Sequence, residues 1–179
     1  MNIADAQRDV RTTFLGGFAG QLVSGLIWLA SAALATWRSP RAGILLLVFG
    51  GMAIYPLTQL TLRLMGRRAS LPKGHPMNSL ARQIAFIVPA GLPLIGAAAL
   101  HRLDWFYPAF LIVVGAHYLP FTFLYGMRQF GALAAAMIAA GVAIGWYLPG
   151  SFALGGWVGA ALLFVFAFTG RAAVRAERG

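Results

Sequence analysis

The sequence predicts an all-α fold, a polytopic membrane protein built as a six-transmembrane-helix bundle. Two observations predict it. Of the 179 residues, 60% are hydrophobic and only 10% are charged, whereas soluble domains carry about 25% charged residues. The apolar residues also fall into six runs of about 20, the length that a helix needs to cross a bilayer. This number of charged side chains is too small to cover the surface of a soluble globule of this size. A soluble globular protein is therefore excluded.

The six predicted spans follow one another closely and leave no room for a soluble domain, so we expect a single transmembrane domain over 1–179. The spans are 14–37, 42–65, 80–100, 105–127, 130–148 and 151–170. Polar or turn-forming segments separate them. The last separator is only Pro149-Gly150. We expect a hairpin there rather than one helix of about 40 residues, because Pro-Gly stops a helix.

The basic residues predict the orientation of the bundle. With a cytoplasmic N-terminus, only Arg38, Arg41 and Arg102 lie on the outer side. The inner side holds Arg8, Arg11, Arg63, Arg67, Arg68, Lys73, Arg82, Arg128, Arg171, Arg175 and Arg178. The positive-inside rule then places both termini in the cytoplasm, and the family resemblance given below implies a bacterial inner (plasma) membrane. The net charge of +10 is thereby explained by topology, and we expect no nucleic-acid partner.

A processing alternative stays open at the N-terminus. Arg8 and Arg11 precede an apolar run that ends in Ala33-Leu34-Ala35, an order that also occurs in cleaved signal peptides. The run is too long for a typical signal peptide. Cleavage would leave five spans and an outward N-terminus.

The spans pair into three helical hairpins that show signs of an internal repeat. Gly51 and Pro56-Leu57-Thr58 in the second span match Gly115 and Pro120-Phe121-Thr122 in the fourth. The copies would start on the same side of the membrane, as parallel repeats do. Chance agreement among small apolar residues is the alternative.

Small residues form ridges on three spans, where helix backbones can approach closely. The ridges are Gly16, Gly20 and Ser24; Gly141 and Gly145; and Gly155 and Gly159. We place the Gly16-Gly17 pair inside the first apolar helix. The ridges pack either within the bundle or against a partner, which would be a second copy or another membrane protein. Membrane lipids are the other expected partner.

A set of polar side chains lies at membrane depth, where exposure to lipid is costly. His117 is roughly 18 Å along its helix from Trp105, which is close to the midplane. The predicted ligand-binding set is His117, Tyr118, Thr122, Tyr55, Thr58, Gln59 and Gln21. Pro56, Pro89, Pro93 and Pro120 free backbone carbonyls nearby. We therefore expect a polar pocket between spans one, two and four that opens toward the cytoplasm and takes a neutral or lipid-like molecule.

The role of His117 has alternatives. It could hydrogen-bond to Tyr55 or Gln59, or it could bind a ligand or handle a proton. We expect no metal and no cofactor, because His117 is the only histidine in a span, no span holds a carboxylate and the chain has no cysteine. The outer group His101, Arg102 and Asp104 is expected to be an interfacial ion pair, with general acid–base chemistry as the alternative.

Short motifs distributed along the chain resemble a family of uncharacterised bacterial multi-pass membrane proteins of unknown function. They are Gly50-Gly51-Met52 with Pro56, Pro76-Met77-Asn78-Ser79-Leu80, Trp105-Phe106-Tyr107-Pro108-Ala109 and Leu124-Tyr125-Gly126. The resemblance implies a membrane protein and supplies no catalytic or binding residue.

The function that we expect is binding or transport of a small neutral or lipid-like molecule, and not catalysis. A structural or accessory subunit of a membrane complex is the first alternative. A membrane-embedded lipid-modifying enzyme is the second, using His117 with Tyr118 or His101 with Asp104.

Overall fold

A computed structural model describes residues 2–177, and over that range the chain forms helices and connecting turns with no strand. The helices are α1 (Ile3–Thr13), α2 (Phe18–Trp37), α3 (Pro40–Leu64), α4 (Met77–Ala85), α5 (Ile87–His101), α6 (Phe106–Tyr118), α7 (Phe121–Tyr125), α8 (Gln129–Tyr147) and α9 (Leu154–Ala176). Short 3₁₀ turns at Leu15–Gly17 and Leu103–Trp105 precede α2 and α6.

Six helical stretches are long and apolar enough to cross a membrane, which confirms the predicted all-α class and its six spans. They are Leu15–Trp37, Pro40–Leu64, Met77–His101, Leu103–Tyr125, Gln129–Tyr147 and Leu154–Ala176. The largest boundary difference is at the end of the sixth stretch, which continues past Gly170 to Ala176. The Pro149-Gly150 hairpin is present, with Gly150 at a φ of 85°.

The first helix, α1, is an element that the sequence prediction missed. Its N-terminus is capped by Asn2, whose side chain accepts the N–H of Asp5 at 2.8 Å. Ala6 and Val10 are each 1% exposed and form one small apolar face. Gln7 donates its Nε2–H to the Phe123 carbonyl at 2.6 Å. The helix therefore packs against α7, α4 and the turn at Leu15–Gly17.

Between α1 and α2 the chain turns through three consecutive left-handed residues. Leu15, Gly16 and Gly17 have φ values of 53°, 66° and 85°. The prediction that Gly16 and Gly17 lie inside the first apolar helix is therefore wrong. Gly16 is needed for close approach, since a Cβ there would lie 2.6 Å from the Gly170 carbonyl oxygen of α9.

The first and last helices meet at one end of the bundle, which we call the terminal side. Arg11 and Glu177 form a salt bridge of 2.8 Å there. The loop of residues 65–76 lies at the same end, where the Arg67 guanidinium donates to the Thr12 carbonyl at 3.0 Å. His75 in that loop is 7% exposed, and its Nε2 lies 3.8 Å from a carboxylate oxygen of Asp9. Arg178, which was predicted on this side, lies outside the described residues.

In the bundle, α2 packs between α3 and α9, α6 packs on α8, and α9 connects the two groups through α8 and α6. The helix α5 packs on the other side of α6. Trp28 of α2 is 2% exposed and lies 5.5 Å from the Phe110 ring, measured between ring centroids. The spans that carry α3 and α5 are the most exposed of the six. The packed centre is therefore made by spans one, four, five and six.

Two of the predicted glycine ridges are covered by the chain itself. A Cβ on Gly141 would lie 2.7 Å from the Pro108 carbonyl oxygen of α6. A Cβ on Gly155 would lie 2.7 Å from the Tyr107 side chain, and Gly159 lies against the Trp28 ring. These two ridges therefore pack against other helices of the same bundle.

On the side opposite the termini, Asp104 links the connection between α5 and α6 to the turn between α8 and α9. Its carboxylate pairs with Arg102 at 2.7 Å and accepts the Gly150 N–H at 3.1 Å. The His101 ring lies against Trp105 instead, with 5.8 Å between ring centroids. This geometry matches the expected interfacial ion pair.

The segments matched as a repeat differ in shape, because α3 runs unbroken through Pro56 while the fourth span is broken at Pro120.

Candidate functional site

Two helix breaks lie side by side in the terminal half of the bundle, and His117 connects them. Pro89 lacks an N–H, and the third span is interrupted just before it, between α4 and α5. The fourth span is interrupted at Pro120, where the Ala116 carbonyl accepts the Leu119 N–H at 3.2 Å. His117 Nδ1 lies 3.0 Å from the Ile84 carbonyl oxygen in the neighbouring break. A carbonyl only accepts, so Nδ1 must carry the proton of this hydrogen bond.

An aromatic cluster surrounds the break in the fourth span. The Tyr118 ring stacks on Phe130 at 6.1 Å between centroids, and Tyr125 lies 4.7 Å from Phe130. Phe121 stacks on Tyr125 at 5.7 Å and lies 5.0 Å from His117. Phe130 is fully buried at the centre of this cluster. It belongs to the first turn of α8 and lies against Gly17 in the turn that precedes α2.

The Gln21 carboxamide lies beside this cluster and is 2% exposed. A Cβ built on Gly17 would lie 2.9 Å from Phe130 Cζ and 3.8 Å from Gln21 Oε1, so all three residues share one small region. Neither Oε1 nor Nε2 of Gln21 has a hydrogen-bond partner among the described residues. The Nε2 of Gln129, which lies against Gly170, is buried and unpartnered in the same way.

The structure brings together four of the seven predicted site residues. His117 and Tyr118 are in the aromatic cluster, Gln21 lies next to Phe130, and Thr122 faces α8, with its Oγ1 3.6 Å from a Cβ built on Gly131. These four residues are contributed by spans one and four. His117 contacts the third span at Ile84, whereas Tyr118 and Thr122 face the fifth.

The three residues of the second span lie elsewhere, which corrects the predicted pocket between spans one, two and four. Tyr55 is 71% exposed on the outer surface of α3. Thr58 faces Gly20 at the contact of α3 with α2, and its buried Oγ1 has no hydrogen-bond partner in the described part of the chain. Gln59 is half-buried on α3. The reason is that α3 packs chiefly on α2, so His117 bonds to Ile84 and not to Tyr55 or Gln59.

Two open cavities of about 170 Å³ each lie away from this region. One is on the terminal side and is lined by Leu15, Met65, Arg67, Arg171, Val174 and Arg175. The other is apolar and lies between α6 and α8 near Trp105 and Trp146. None of the seven predicted site residues lines either cavity.

The chemistry available around Gln21 is hydrogen bonding. Amides, hydroxyls and one imidazole supply donors and acceptors, and the rings supply apolar walls. Within residues 2–177, no three His, Cys, Asp or Glu side chains come close enough to hold a metal ion.

The sequence prediction missed Gln129 and Phe130 as members of this region. Their signal was their position at the start of the fifth span, directly after the polar break at Arg128. It also missed Ser31 and Tyr107, both fully buried, which join α2 to α6 on the opposite side of the bundle.

The comparisons with known proteins point to one family. No curated protein and no solved structure matches the chain significantly. A family model described only as a family of unknown function matches residues 3–171, which include the first five spans, most of the sixth and the region around Gln21. The chain therefore belongs to the family of unknown function DUF7010, as its resemblance to an uncharacterised family predicted.

Proposed function

We propose that the protein binds a small neutral or lipid-like molecule through the carboxamide of Gln21, and that this molecule enters from the terminal side. The observation that carries the proposal is the orphaned amide itself, 2% exposed with neither polar atom hydrogen-bonded to any of residues 2–177. The proposal keeps Gln21, His117, Tyr118 and Thr122 from the predicted set.

An unbonded amide is costly at this depth. Leaving one buried polar group unsatisfied costs about 1–3 kcal/mol, and buried polar groups in native proteins nearly always have a partner. A ligand with one donor and one acceptor would satisfy both atoms of Gln21. The second orphaned amide, Gln129, is contributed by α8 and would extend the same polar surface toward α9.

The surroundings of Gln21 favour an uncharged ligand. The side chains grouped there are amides, a threonine, a histidine and aromatic rings. A buried charge without an opposite charge beside it is strongly unfavourable. A hydroxyl, amide or ester group attached to an apolar body matches such walls.

The orientation of the protein decides which compartment supplies the ligand. Ten Lys and Arg residues of the described chain belong to segments on the terminal side, against Arg38, Arg41 and Arg102 on the other. The positive-inside rule favours a cytoplasmic terminal side in a bacterial inner membrane. Gln21 is then reached from the cytoplasm, past α1 and the turn at Leu15–Gly17.

Native mass spectrometry of the detergent-purified protein tests this proposal, with the host's own lipids and metabolites as the probes. We expect the wild type to retain a bound molecule and Gln21→Leu to lose it. Leucine resembles glutamine in size and removes the orphaned amide, so Q21L should unfold at the same or a higher temperature than the wild type. Loss of the bound molecule would then not result from unfolding.

Thr58→Val is the matched control, because it removes another buried polar atom without a partner among the described residues, at the contact of α3 with Gly20 of α2. T58V should keep the bound molecule. A wild type that carries nothing, or a Q21L variant that carries the same molecule at the same occupancy, would contradict the proposal. The same spectra give the oligomeric mass, and a stable complex with another membrane protein would favour the accessory-subunit alternative.

A further inference from the structure

We propose that the terminal-side cavity is a binding site for a phosphate-bearing anion, supplied by the headgroup of an anionic lipid or by a soluble phosphate compound. Three of its six lining residues are arginines, namely Arg67, Arg171 and Arg175. The site does not include Gln21 and is independent of the function proposed above.

The three arginines have no acidic partner among residues 2–177. The Glu177 carboxylate, which is nearest to them in sequence, is paired with Arg11 at 2.8 Å. The two other salt bridges in the described chain use Asp9 with His75 and Asp104 with Arg102. The cavity therefore concentrates three positive charges that no acidic side chain of the described residues neutralises, which is an arrangement that attracts an anion.

Two of the three guanidinium groups are held in place by contacts that leave their charge intact. Arg67 donates one Nη2–H to the Thr12 carbonyl at 3.0 Å. The Arg171 guanidinium carbon lies over the Phe18 ring, 4.4 Å from its centroid. A guanidinium presents several N–H donors in a fixed plane, so both groups keep donors for a phosphate. Their fixed positions reduce the entropy that binding would cost.

The backbone builds the cavity from two elements that are locked together. Arg171, Val174 and Arg175 lie at i, i+3 and i+4 on the last turns of α9 and share one face. Leu15 in the left-handed turn lines the cavity beside them. The turn is fixed against α9 because Gly16 meets the Gly170 backbone with no space for a side chain.

The position and the apolar wall favour a lipid as the source of the phosphate. Leu15 and Met65 mark where the first and second membrane-spanning helices begin and end. This is the depth at which lipid phosphates lie and where basic residues contact anionic lipids. Leu15, Met65 and Val174 give the cavity an apolar side, which can accept the start of an acyl chain next to the headgroup.

The test measures binding of three probes to the full-length protein in neutral detergent. Phosphatidylglycerol and zwitterionic phosphatidylcholine are titrated by native mass spectrometry, and inorganic phosphate by calorimetry. The test variant is Arg171→Gln with Arg175→Gln. The matched control is Arg68→Gln with Arg128→Gln, which removes two exposed charges from the same side of the protein, outside the cavity.

We expect one phosphatidylglycerol to bind at least tenfold more tightly than phosphatidylcholine. The cavity variant should lose that preference, and the control should change affinity less than twofold. Binding of inorganic phosphate that is lost in the cavity variant alone would support the site with a soluble ligand. Equal loss in both double variants, or no preference for either anion in the wild type, would overturn the proposal.

A single variant keeps the test decisive if the double variant does not fold. The Arg175 side chain is exposed and makes no hydrogen bond or ion pair within residues 2–177, so Arg175→Gln should leave the fold intact. We expect R175Q to weaken phosphatidylglycerol binding about threefold or more, with an unchanged melting temperature. An unchanged affinity in R175Q, together with a folded protein, would overturn the proposal.

Discussion

The Tyr107 hydroxyl lies 2.5 Å from Ser31 Oγ, and this contact joins α6 to α2 in the fully buried centre of the bundle. Ser31 also donates to the Gly43 carbonyl of α3 at 2.8 Å. A serine hydroxyl has one proton, and the carbonyl takes it, so Tyr107 must be the donor to Ser31. One small side chain thereby ties three helices, including the exposed α3, into one bundle.

Removing the Tyr107 hydroxyl should destabilise the protein modestly. We expect Tyr107→Phe to lower the free energy of unfolding by about 1 kcal/mol, the size of interhelical hydrogen bonds in membranes. Ser31→Ala should cost more, about 2 kcal/mol, because it removes both bonds and leaves a buried tyrosine hydroxyl without an acceptor. Equilibrium unfolding in mixed micelles measures both. Equal losses, or a larger loss in Y107F than in S31A, would contradict the donor order given above.

Filling the space at Gly159 should disturb the contact between α9 and α2. A Cβ there would overlap the Trp28 ring, so we expect Gly159→Ala to lower the free energy of unfolding by about 1–3 kcal/mol. Gly51→Ala in α3 is the control, since a Cβ at that position meets nothing within 4 Å. G51A should be neutral or slightly stabilising because alanine favours a helix. Similar melting temperatures for the two variants would show that α9 and α2 do not pack through Gly159.

The six spans could be predicted because the bilayer fixes the length and apolarity of a helix that crosses it. The Pro149-Gly150 hairpin could be predicted because neither residue suits a helix interior. The helix α1 was missed since its buried face consists only of Ala6 and Val10, too few apolar residues to show a period. Its cap was visible in the sequence, however, in Asn2 and Asp5.

The candidate site could be predicted only in part, because membrane helices are apolar on every face. Gln21 was placed inside correctly, since a carboxamide is costly in lipid. Tyr55 was placed inside wrongly, because a tyrosine on the lipid surface is less costly and its spacing from Thr58 does not reveal which face packs. The rotation of α3 depends on its contact with α2, which includes Gly20, Gly43 and Gly50, and glycines do not show in the sequence which face of a helix packs.

Comparing a glycine in the left-handed turn before α2 with an unpacked one elsewhere separates two costs of an alanine substitution, backbone strain and steric overlap with a neighbour. Gly16 and Gly66 have φ values of 66° and 67°, but only Gly16 has a neighbour within reach of a Cβ. Alanine at either position adds about 1–2 kcal/mol of backbone strain. We expect Gly16→Ala to cost about 1–3 kcal/mol more than Gly66→Ala, because its Cβ also meets the Gly170 backbone. Thermal unfolding of the two variants gives the difference, and equal losses would rule out the tight contact with α9.

Docking of α1 should depend on its small apolar face. Val10 is 1% exposed and Ile3 is 60% exposed on the same helix, so the two positions form a matched pair. We expect Val10→Asp to release α1, because it buries a charge and removes a side chain whose burial contributes about 1.5–3 kcal/mol. Hydrogen exchange over residues 3–13 should then speed up at least tenfold, while exchange in Ile3→Asp stays at the wild-type rate. Equal exchange in the two variants would mean that α1 does not dock through Val10.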